Sequence, residues 1–364
     1  MKITFPHMGN TFVCVKALLD EFELDYTIPP YNNKNALEIG SRYVPELACL
    51  PLKITIGNII QAWKEGADTV LMTGGRGPCR FGYYCEMYKQ ILDDIGCKMD
   101  VITLEWPDKG LPELLKRVKR AAGTINPYRI IKAVKNATQI AIKTDELEKL
   151  SFFTRPREVI KGTTDKIYGK FLSDVQEARG SRQIKNIIES AGNQLINVEM
   201  KKDFKPLRVG VVGEIYSIID PFTSFNIQTR LGNMGVEVDR KVTVSNWIVE
   251  HMIKNALHLP RNMEFAYEAK PYLETMIGGH AQETIGYSAL YAKQEYDGII
   301  HIYPLSCMPE IVAKSILPQI QKDYGIPVLS ITIDEMTGEA GYITRLEAFI
   351  DLLYEKRLKD KSTA

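Results

Sequence analysis

The sequence lacks the features that mark membrane, secreted or nucleic-acid-binding proteins. No run approaches the roughly 20 apolar residues that a spanning helix needs, and the opening MKITFPHMGN has no apolar signal-peptide core. Lys and Arg number 46 against 45 Asp and Glu, so no excess of positive charge points to nucleic acid or an anionic membrane. We therefore expect a cytoplasmic protein.

The sequence also lacks the loops that cradle ATP or a dinucleotide. It contains no G-x-x-x-x-G-K-[ST] motif, and the run VGVVGEI has only Gly210 and Gly213 where the fingerprint G-x-G-x-x-G needs three glycines. We therefore expect a protein that is not itself an ATPase.

Cysteines are present but never as a close Cys-x-x-Cys pair, which structural zinc sites usually contain. A disulfide framework is not expected, because cytosolic thiols are kept reduced. The thiols are therefore core residues, metal ligands or reactive groups. The six cysteines are Cys14, Cys49, Cys79, Cys85, Cys97 and Cys307.

What the sequence does contain is the pattern of an α/β fold. The chain has 364 residues, 45% of them hydrophobic, which is enough for two domains. Strand-like runs recur with helical segments between them, as in parallel sheets with crossover helices. The first set of runs covers 2–5, 26–30, 68–74 and 100–106, and the second covers 207–215, 236–242, 297–305 and 326–334.

Between the two sets, apolar residues keep a helical period over about 110–200. We predict an N-terminal α/β lobe over 1–125, a mainly helical connecting segment over 126–205 and a C-terminal α/β lobe over 206–364. From Asp108 to Lys170 there are 15 Lys and Arg against 7 Asp and Glu. A solvated helix surface explains this excess better than a docking face for a phosphate-bearing ligand or an acidic partner.

Three cysteines each lie directly before a predicted helix. Pro51 follows Cys49 by two residues and Pro309 follows Cys307 by two, and proline suits the first helical turn. Cys79 follows a strand and a glycine turn and opens a predicted helix over 81–95. The positive end of a helix dipole favours a thiolate, and ligands bind at the carboxyl ends of parallel strands.

The remaining cysteines fit a core better. Cys85 lies on a predicted apolar helix stripe, and Cys14 lies among apolar residues of the first helix. Cys97 follows Gly96 in a turn, where we assign it no role. Three thiolates from separate loops suggest an iron–sulfur cluster, a zinc site with His7 as fourth ligand, or three unrelated structural cysteines.

Several sequence blocks resemble the 2-hydroxyacyl-CoA dehydratase superfamily, most closely its branch of small activase-related proteins described as CoA-substrate-specific enzyme activase-like. The blocks are FPHMGN, PELACLPLKITIGN, GADTVLMTGGRGPCRFGYY, GGHAQETIG, SCMPEIVA and TGEAGYITRLEAFIDLL. They occur in both predicted lobes and leave out the helical segment between them.

The resemblance implies two Rossmann-like lobes with parallel sheets, a cleft between them, and a [4Fe–4S] cluster held by Cys49, Cys79 and Cys307. It also implies a separate ATP-dependent activase that delivers low-potential electrons. A double-cubane cluster, known from a related branch, is disfavoured here because Cys14 and Cys85 are expected inside helices.

Four further side chains are candidates for the same site, each with a plainer alternative. Arg80 could offset the charge of a thiolate-bound cluster, and His280 in the stretch GGH could bind a substrate oxyanion or phosphate. Glu214 could move a proton at the end of its strand, and Lys53 follows Cys49 in the first helical turn. The plainer alternatives are a surface or ion-paired position for Arg80 and a glycine turn with a cap for GGH. For Glu214 the alternative is an N-cap or salt-bridge role, and Lys53 has a similar one.

The leading hypothesis is therefore an oxygen-sensitive iron–sulfur protein that reduces or dehydrates a small substrate, such as a CoA ester. Its partners would be the activase and that substrate, and it could act as a homo- or heterodimer. The alternatives are a non-catalytic cluster carrier or electron-relay subunit, and a zinc-binding protein that uses the same cysteines.

Overall fold

The structure, a computed structural model, describes residues 1–74, 79–104, 110–254, 259–260 and 263–363. The chain forms two compact units that share its helical middle. Unit 1 comprises Met1–Asp145 and Phe171–Ser190, and unit 2 comprises Glu146–Lys170 and Ala191–Ala364. The predicted division into segments at 125 and 205, and the predicted cleft, stay predictions.

Unit 1 contains a parallel sheet of three strands in the order β1-β2-β3. Thr69 pairs with Ile3 on one side and with Asp100 on the other. Its strands are β1 (Ile3–Thr4), β2 (Thr69–Met72) and β3 (Asp100–Thr103).

The strand predicted over 26–30 is not formed. Tyr26 makes a single parallel bridge to Ile3, and the pairing ends there. Pro29 and Pro30 follow directly, and proline has no N–H group to donate to a neighbouring strand.

Unit 2 contains a parallel sheet of four strands in the order β5-β4-β6-β7. The chain leaves β4 to form β5 on one side, then crosses to form β6 on the other side of β4. The carboxyl ends of β4 and β6 therefore flank a topological switch point, where open α/β sheets bind ligands. The strands are β4 (Leu207–Gly213), β5 (Val236–Asp239), β6 (Gly298–Pro304) and β7 (Val328–Ile333).

Helices connect the strands and fill the middle of the chain, as the apolar period predicts. The first four are α1 (Thr11–Glu21), α2 (Lys34–Tyr43), α3 (Leu50–Lys64) and α4 (Tyr84–Asp94). The middle segment forms α5 (Leu111–Ala122), α6 (Pro127–Thr154), α7 (Thr163–Glu177) and α8 (Gly180–Ile196). In the described part of the remaining chain the α-helices are α9 (Ile215–Ile219), α10 (Ile227–Asn233), α11 (Val244–Trp247), α12 (Glu264–Ala269), α13 (Ala281–Lys293), α14 (Met308–Tyr324) and α15 (Glu339–Thr363).

Both units bury apolar side chains between helix and sheet, which confirms the α/β class and two Rossmann-like lobes with parallel sheets. In unit 1, Ile59 of α3 and Tyr88 of α4 pack with Val70 of β2. In unit 2, Tyr291 of α13 packs with Val212 of β4 and Ile299 of β6. Within the described residues, no helix is long and apolar enough to cross a membrane.

Candidate functional site

Cys49 is the N-cap residue of α3, as its spacing from Pro51 predicts. Its backbone is extended, with φ −68° and ψ 149°, and Pro51 lies in the first helical turn. The main-chain carbonyl of Cys49 accepts a hydrogen bond from the Leu52 N–H at 3.0 Å. The thiol therefore lies beside the amino end of a 15-residue helix.

Cys79 is the N-cap residue of a short 3-10 helix, Arg80–Tyr83, which continues directly into α4. The predicted helical stretch after Cys79 is thus confirmed, with a tighter first turn. Residues 75–78 of the predicted glycine turn lie outside the described residues.

The two cysteine-bearing loops of unit 1 are joined by side-chain contacts. The Arg80 guanidinium donates to the main-chain carbonyl of Leu47 at 2.8 Å, two residues before Cys49. The Tyr84 hydroxyl, in the first turn of α4, contacts the sulfur of Cys49. Lys53 contacts the Cys49 loop itself, because its Nζ donates to the carbonyl of Glu46 at 2.9 Å.

Arg80 and Lys53 therefore hold the main chain in front of Cys49. The charge-offsetting role predicted for Arg80 stays a prediction.

His7, the predicted fourth zinc ligand, is buried among aromatic rings. Its ring lies 4.9 Å from that of Tyr31 and 5.8 Å from that of Phe12, centroid to centroid. Burial is the largest influence on the imidazole and lowers its pKa to about 4. His7 is thus neutral at pH 7, and its role as a ligand stays a prediction.

Cys307 lies at the switch point of unit 2, where it is the N-cap residue of α14. It follows β6 after a short turn in which Ser306 has φ 67°, a left-handed conformation that is unfavourable for residues other than glycine. The start of α14 after Cys307 confirms the third predicted helix entrance.

His280 is the N-cap residue of α13 and follows two glycines with positive φ, Gly278 at 87° and Gly279 at 57°. The predicted turn before a helix is confirmed. A Cβ on Gly279 would lie 2.6 Å from Cγ of Pro309. The amino ends of α13 and α14 therefore touch, and glycine is needed at the contact. The anion-binding role of His280 stays a prediction.

Glu214 follows β4 and caps α9. Its carboxylate accepts hydrogen bonds from the Tyr216 N–H at 3.0 Å, the Ser217 N–H at 2.9 Å and the Ser217 hydroxyl at 2.7 Å. Burial raises the pKa of Glu214 most, the bonds from Ser217 and Tyr216 oppose this, and the charge of Glu310 adds to the rise. The structure shows the capping role, and proton transfer by Glu214 stays a prediction.

A histidine and a carboxylate that the sequence did not point to lie beneath the switch point of unit 2. His301 of β6 and Glu310 of α14 are both fully buried, and Nε2 of His301 lies 2.9 Å from Oε2 of Glu310. The available signal was a histidine inside the apolar run GIIHIYP, where an imidazole needs polar partners.

The six cysteines divide by exposure as the sequence predicts. Cys14, Cys85 and Cys97 are buried. Cys85 packs in the unit 1 core, and burial raises the pKa of Cys14 to about 12, so that thiol stays protonated. The three cysteines at helix entrances, Cys49, Cys79 and Cys307, are each partly exposed, and none of the six cysteines is in a disulfide.

Cys49 and Cys79 belong to unit 1 and Cys307 to unit 2. Across the part of the chain that the structure describes, no group of three or more His, Cys, Asp and Glu side chains is arranged to hold a metal ion. The predicted ligand set therefore stays a prediction.

The region that contains Cys49 and Cys79 matches a known protein family. The family model of the CoA enzyme activase uncharacterised domain matches residues 7–241, more than half of the chain. The chain belongs to this family. The match includes Cys49, Cys79 and Glu214, whereas His280 and Cys307 lie beyond it. No curated protein matches the sequence.

Proposed function

We propose that this member of the activase-related family is an iron–sulfur protein similar to 2-hydroxyacyl-CoA dehydratase subunits. It would accept low-potential electrons from an ATP-dependent activase and use them to reduce or dehydrate a small substrate such as a CoA ester. The observation that carries this proposal is the placement of Cys49, Cys79 and Cys307, which are each the N-cap of a helix and each partly exposed.

Helix amino termini suit cysteine ligands for an electrostatic reason. The thiolate, and not the thiol, binds metal, and the partial positive charge at a helix amino end stabilises a nearby anion. The other three cysteines, Cys14, Cys85 and Cys97, are buried and therefore lack access to a cluster. The donor set that remains is three thiolates, which is the chemistry of iron–sulfur ligation.

The contacts around Cys49 and Cys79 support this proposal. Arg80 and Tyr84 join the two loops, so the two sulfurs are carried by segments that are fixed to each other. The Tyr84 hydroxyl can donate to the Cys49 sulfur, and hydrogen bonds to ligand sulfurs tune reduction potentials. When bound, the cluster would supply single-electron transfer, and Cys307 is the third proposed ligand.

The proposal is tested by preparing the protein without oxygen and measuring iron and acid-labile sulfide. We expect about four of each per chain, from the stoichiometry of a single cubane cluster, with an electron paramagnetic resonance signal after reduction. Protein that stays colourless and free of iron after anaerobic reconstitution would refute the proposal.

The ligand assignment is tested by replacing one cysteine at a time. Cys307→Ala and Cys79→Ala should lose most of the iron, whereas Cys85→Ala, which changes a buried helix cysteine, should keep it. Equal iron retention by Cys307→Ala and Cys85→Ala would show that the assignment of Cys307 as a ligand and Cys85 as a core residue is wrong.

The same metal analysis separates the alternatives. Zinc in place of iron in the anaerobic protein would favour a zinc-binding protein. A cluster that exchanges electrons with a partner, but whose spectrum changes with none of a panel of acyl-CoA esters, would favour a carrier or relay subunit.

A further inference from the structure

A chain of hydrogen bonds crosses the interior of unit 2 beneath the switch point. It starts at Ser330 of β7, which is partly exposed, and its hydroxyl lies 3.2 Å from Nδ1 of His301. Nε2 of the same imidazole lies 2.9 Å from Oε2 of Glu310. A polar path therefore runs from the accessible side of the sheet to a fully buried carboxylate.

Each group on this path can both donate and accept a proton. A serine hydroxyl does both, and an imidazole accepts at one nitrogen while it donates at the other. If Glu310 is ionised, Nε2–H donates to Oε2 and Nδ1 accepts from Ser330. If Glu310 carries the proton, it donates to Nε2, and Nδ1–H donates to Ser330. The same atomic positions serve both arrangements.

At the buried end of the path, one carboxylate oxygen of Glu310 has no hydrogen-bond partner among the described residues. Oε2 of Glu310 also accepts from the Thr284 hydroxyl at 2.9 Å, whereas Oε1 is buried and has no hydrogen-bond partner among the described residues. A buried carboxylate oxygen without a partner is costly. If the network served only to hold α13 and α14 against the sheet, an unpartnered carboxylate oxygen would add a cost without a benefit.

Other ionisable and polar groups surround this path. Glu214, beside β4, is close enough for the charge of Glu310 to raise its pKa. The Tyr303 ring stacks on His301 at 4.7 Å, accepts a hydrogen bond from Thr332 at its hydroxyl, and lies 5.6 Å from Nζ of Lys314. The path therefore has a second carboxylate near its buried end, and a cation lies over the aromatic ring that stacks on His301.

We propose that Ser330, His301 and Glu310 form a buried proton path from the surface to the first turn of α14, the helix that Cys307 opens. In one transfer the Ser330 O–H bond breaks as an Nδ1–H bond forms, and the Nε2–H bond breaks as an O–H bond forms on Glu310. Water restores the serine proton, and no electron is transferred. On the proposed function, this path supplies the proton that accompanies reduction of the substrate.

The experiment is nitrogen-15 NMR of the full-length protein with labelled histidine. The chain has five histidines, so the His301 signal can be assigned by its loss in His301→Gln. The measured quantity is the rate at which the Nε2 proton of His301 exchanges with water. A proton path predicts that this exchange rate depends on both Ser330 and Glu310, the two ends of the hydrogen-bonded path.

Ser330→Ala removes the surface end and should slow the exchange at least tenfold, while Ser330→Thr, which keeps the hydroxyl, should restore it. Glu310→Gln removes the proton acceptor at nearly constant size and should slow the exchange as well. Thr284→Val is the matched control, because it deletes a hydrogen bond to Glu310 that is not on the path. Its exchange rate should stay within twofold of the original.

Unchanged exchange in Ser330→Ala, or equal slowing in Ser330→Ala and Thr284→Val, would overturn the proton path. The measurement needs no metal. Failure to bind iron would therefore refute the proposed function and leave the result on proton exchange intact.

Discussion

Each unit of the chain buries a histidine, and the two histidines have different surroundings. In unit 1, His7 lies among the rings of Phe12 and Tyr31, and burial holds its pKa at about 4. In unit 2, His301 has a carboxylate at one nitrogen and a hydroxyl at the other. In His7 burial is the larger influence and favours the neutral imidazole, and a backbone hydrogen bond to Pro29 opposes it. In His301 both ring nitrogens face polar side chains.

The two units also balance buried charge separately. In unit 1, Asp20 pairs with Lys16 at 3.3 Å and accepts hydrogen bonds from the Tyr26 hydroxyl and the Gly180 N–H. In unit 2, Arg240 pairs with Glu148 at 2.5 Å. Lys16 and Asp20 lie one turn apart on α1, and Asp20 also holds Tyr26 and Gly180 against that helix. Arg240 and Glu148 are far apart in the chain, and their ion pair joins two segments of unit 2.

The largest expected effect comes from breaking the unit 1 pair. Asp20→Ala should lower the free energy of unfolding by about 3–5 kcal/mol, because it leaves the buried Lys16 ammonium without its counterion. Urea unfolding measures the loss. Glu86→Ala, which breaks an exposed ion pair to Lys89, is the control and should change stability by less than about 0.5 kcal/mol.

The same variant tests whether the units are separate. Hydrogen exchange of Asp20→Ala should lose protection in unit 1, and exchange of Glu148→Ala should lose it in unit 2. Loss of protection across both units in either variant would break the comparison.

The next effect concerns pH and the His7 side chain. Because its folded pKa of about 4 lies below the ordinary 6.5, the unfolded chain takes up the proton first as the pH falls. Stability is therefore complete above pH 6.5 and should fall by about 2–3 kcal/mol between pH 7 and pH 4.5. Denaturant titrations at the two pH values should show this slope, and His7→Gln should reduce it. An equal slope in that variant would show that another group causes it.

A smaller effect is expected from helix pairs that approach closely in both units. A Cβ on Gly57 of α3 would lie 1.8 Å from the carbonyl oxygen of Ala36, and one on Gly286 of α13 would lie 1.9 Å from that of Phe265. Gly57→Ala and Gly286→Ala should each cost about 1–3 kcal/mol, as measured by thermal unfolding. Gly169→Ala in α7, where nothing lies within 4 Å, should instead stabilise by about 0.5–1 kcal/mol. Similar shifts in all three would contradict the packing argument.

The smallest effect on overall stability is expected for Arg80→Ala. Its side chain is exposed and its bond to the Leu47 carbonyl is local, so the loss should be under about 1 kcal/mol. The local effect should be larger, with faster amide exchange over residues 46–50. Arg80→Lys should restore little, since a lysine presents a single point charge in place of the planar guanidinium. Unchanged exchange in that loop would show that Arg80 does not hold it.

Much of the fold follows from local sequence pattern. Seven of the eight predicted strand runs contain strands, because continuous apolar runs bounded by turn residues describe buried parallel strands well. The helix starts at Cys49 and Cys307 were predictable because proline in the first turn marks them. The run 26–30 misled, since its two prolines do not alter its apolar character but do prevent pairing.

The site was less predictable, for a physical reason. Capping by Glu214 is local and could be anticipated from its place after a strand. The contact between His301 and Glu310, and the contact of Tyr84 with Cys49, join separate elements, and only the folded chain brings them together. A single sequence contains no record of such pairs.

The order of the unit 2 strands has a consequence for dissecting the protein. The region shared with the family ends just after β5, yet β4 also pairs with β6 from Val209 to Gly213. A fragment that stopped there would expose one full edge of β4 and would lack β7 as well, and such an edge invites aggregation. The region matched by the family model and the folded unit thus end at different residues. A fragment that ended at residue 241 would lack two strands of the unit 2 sheet.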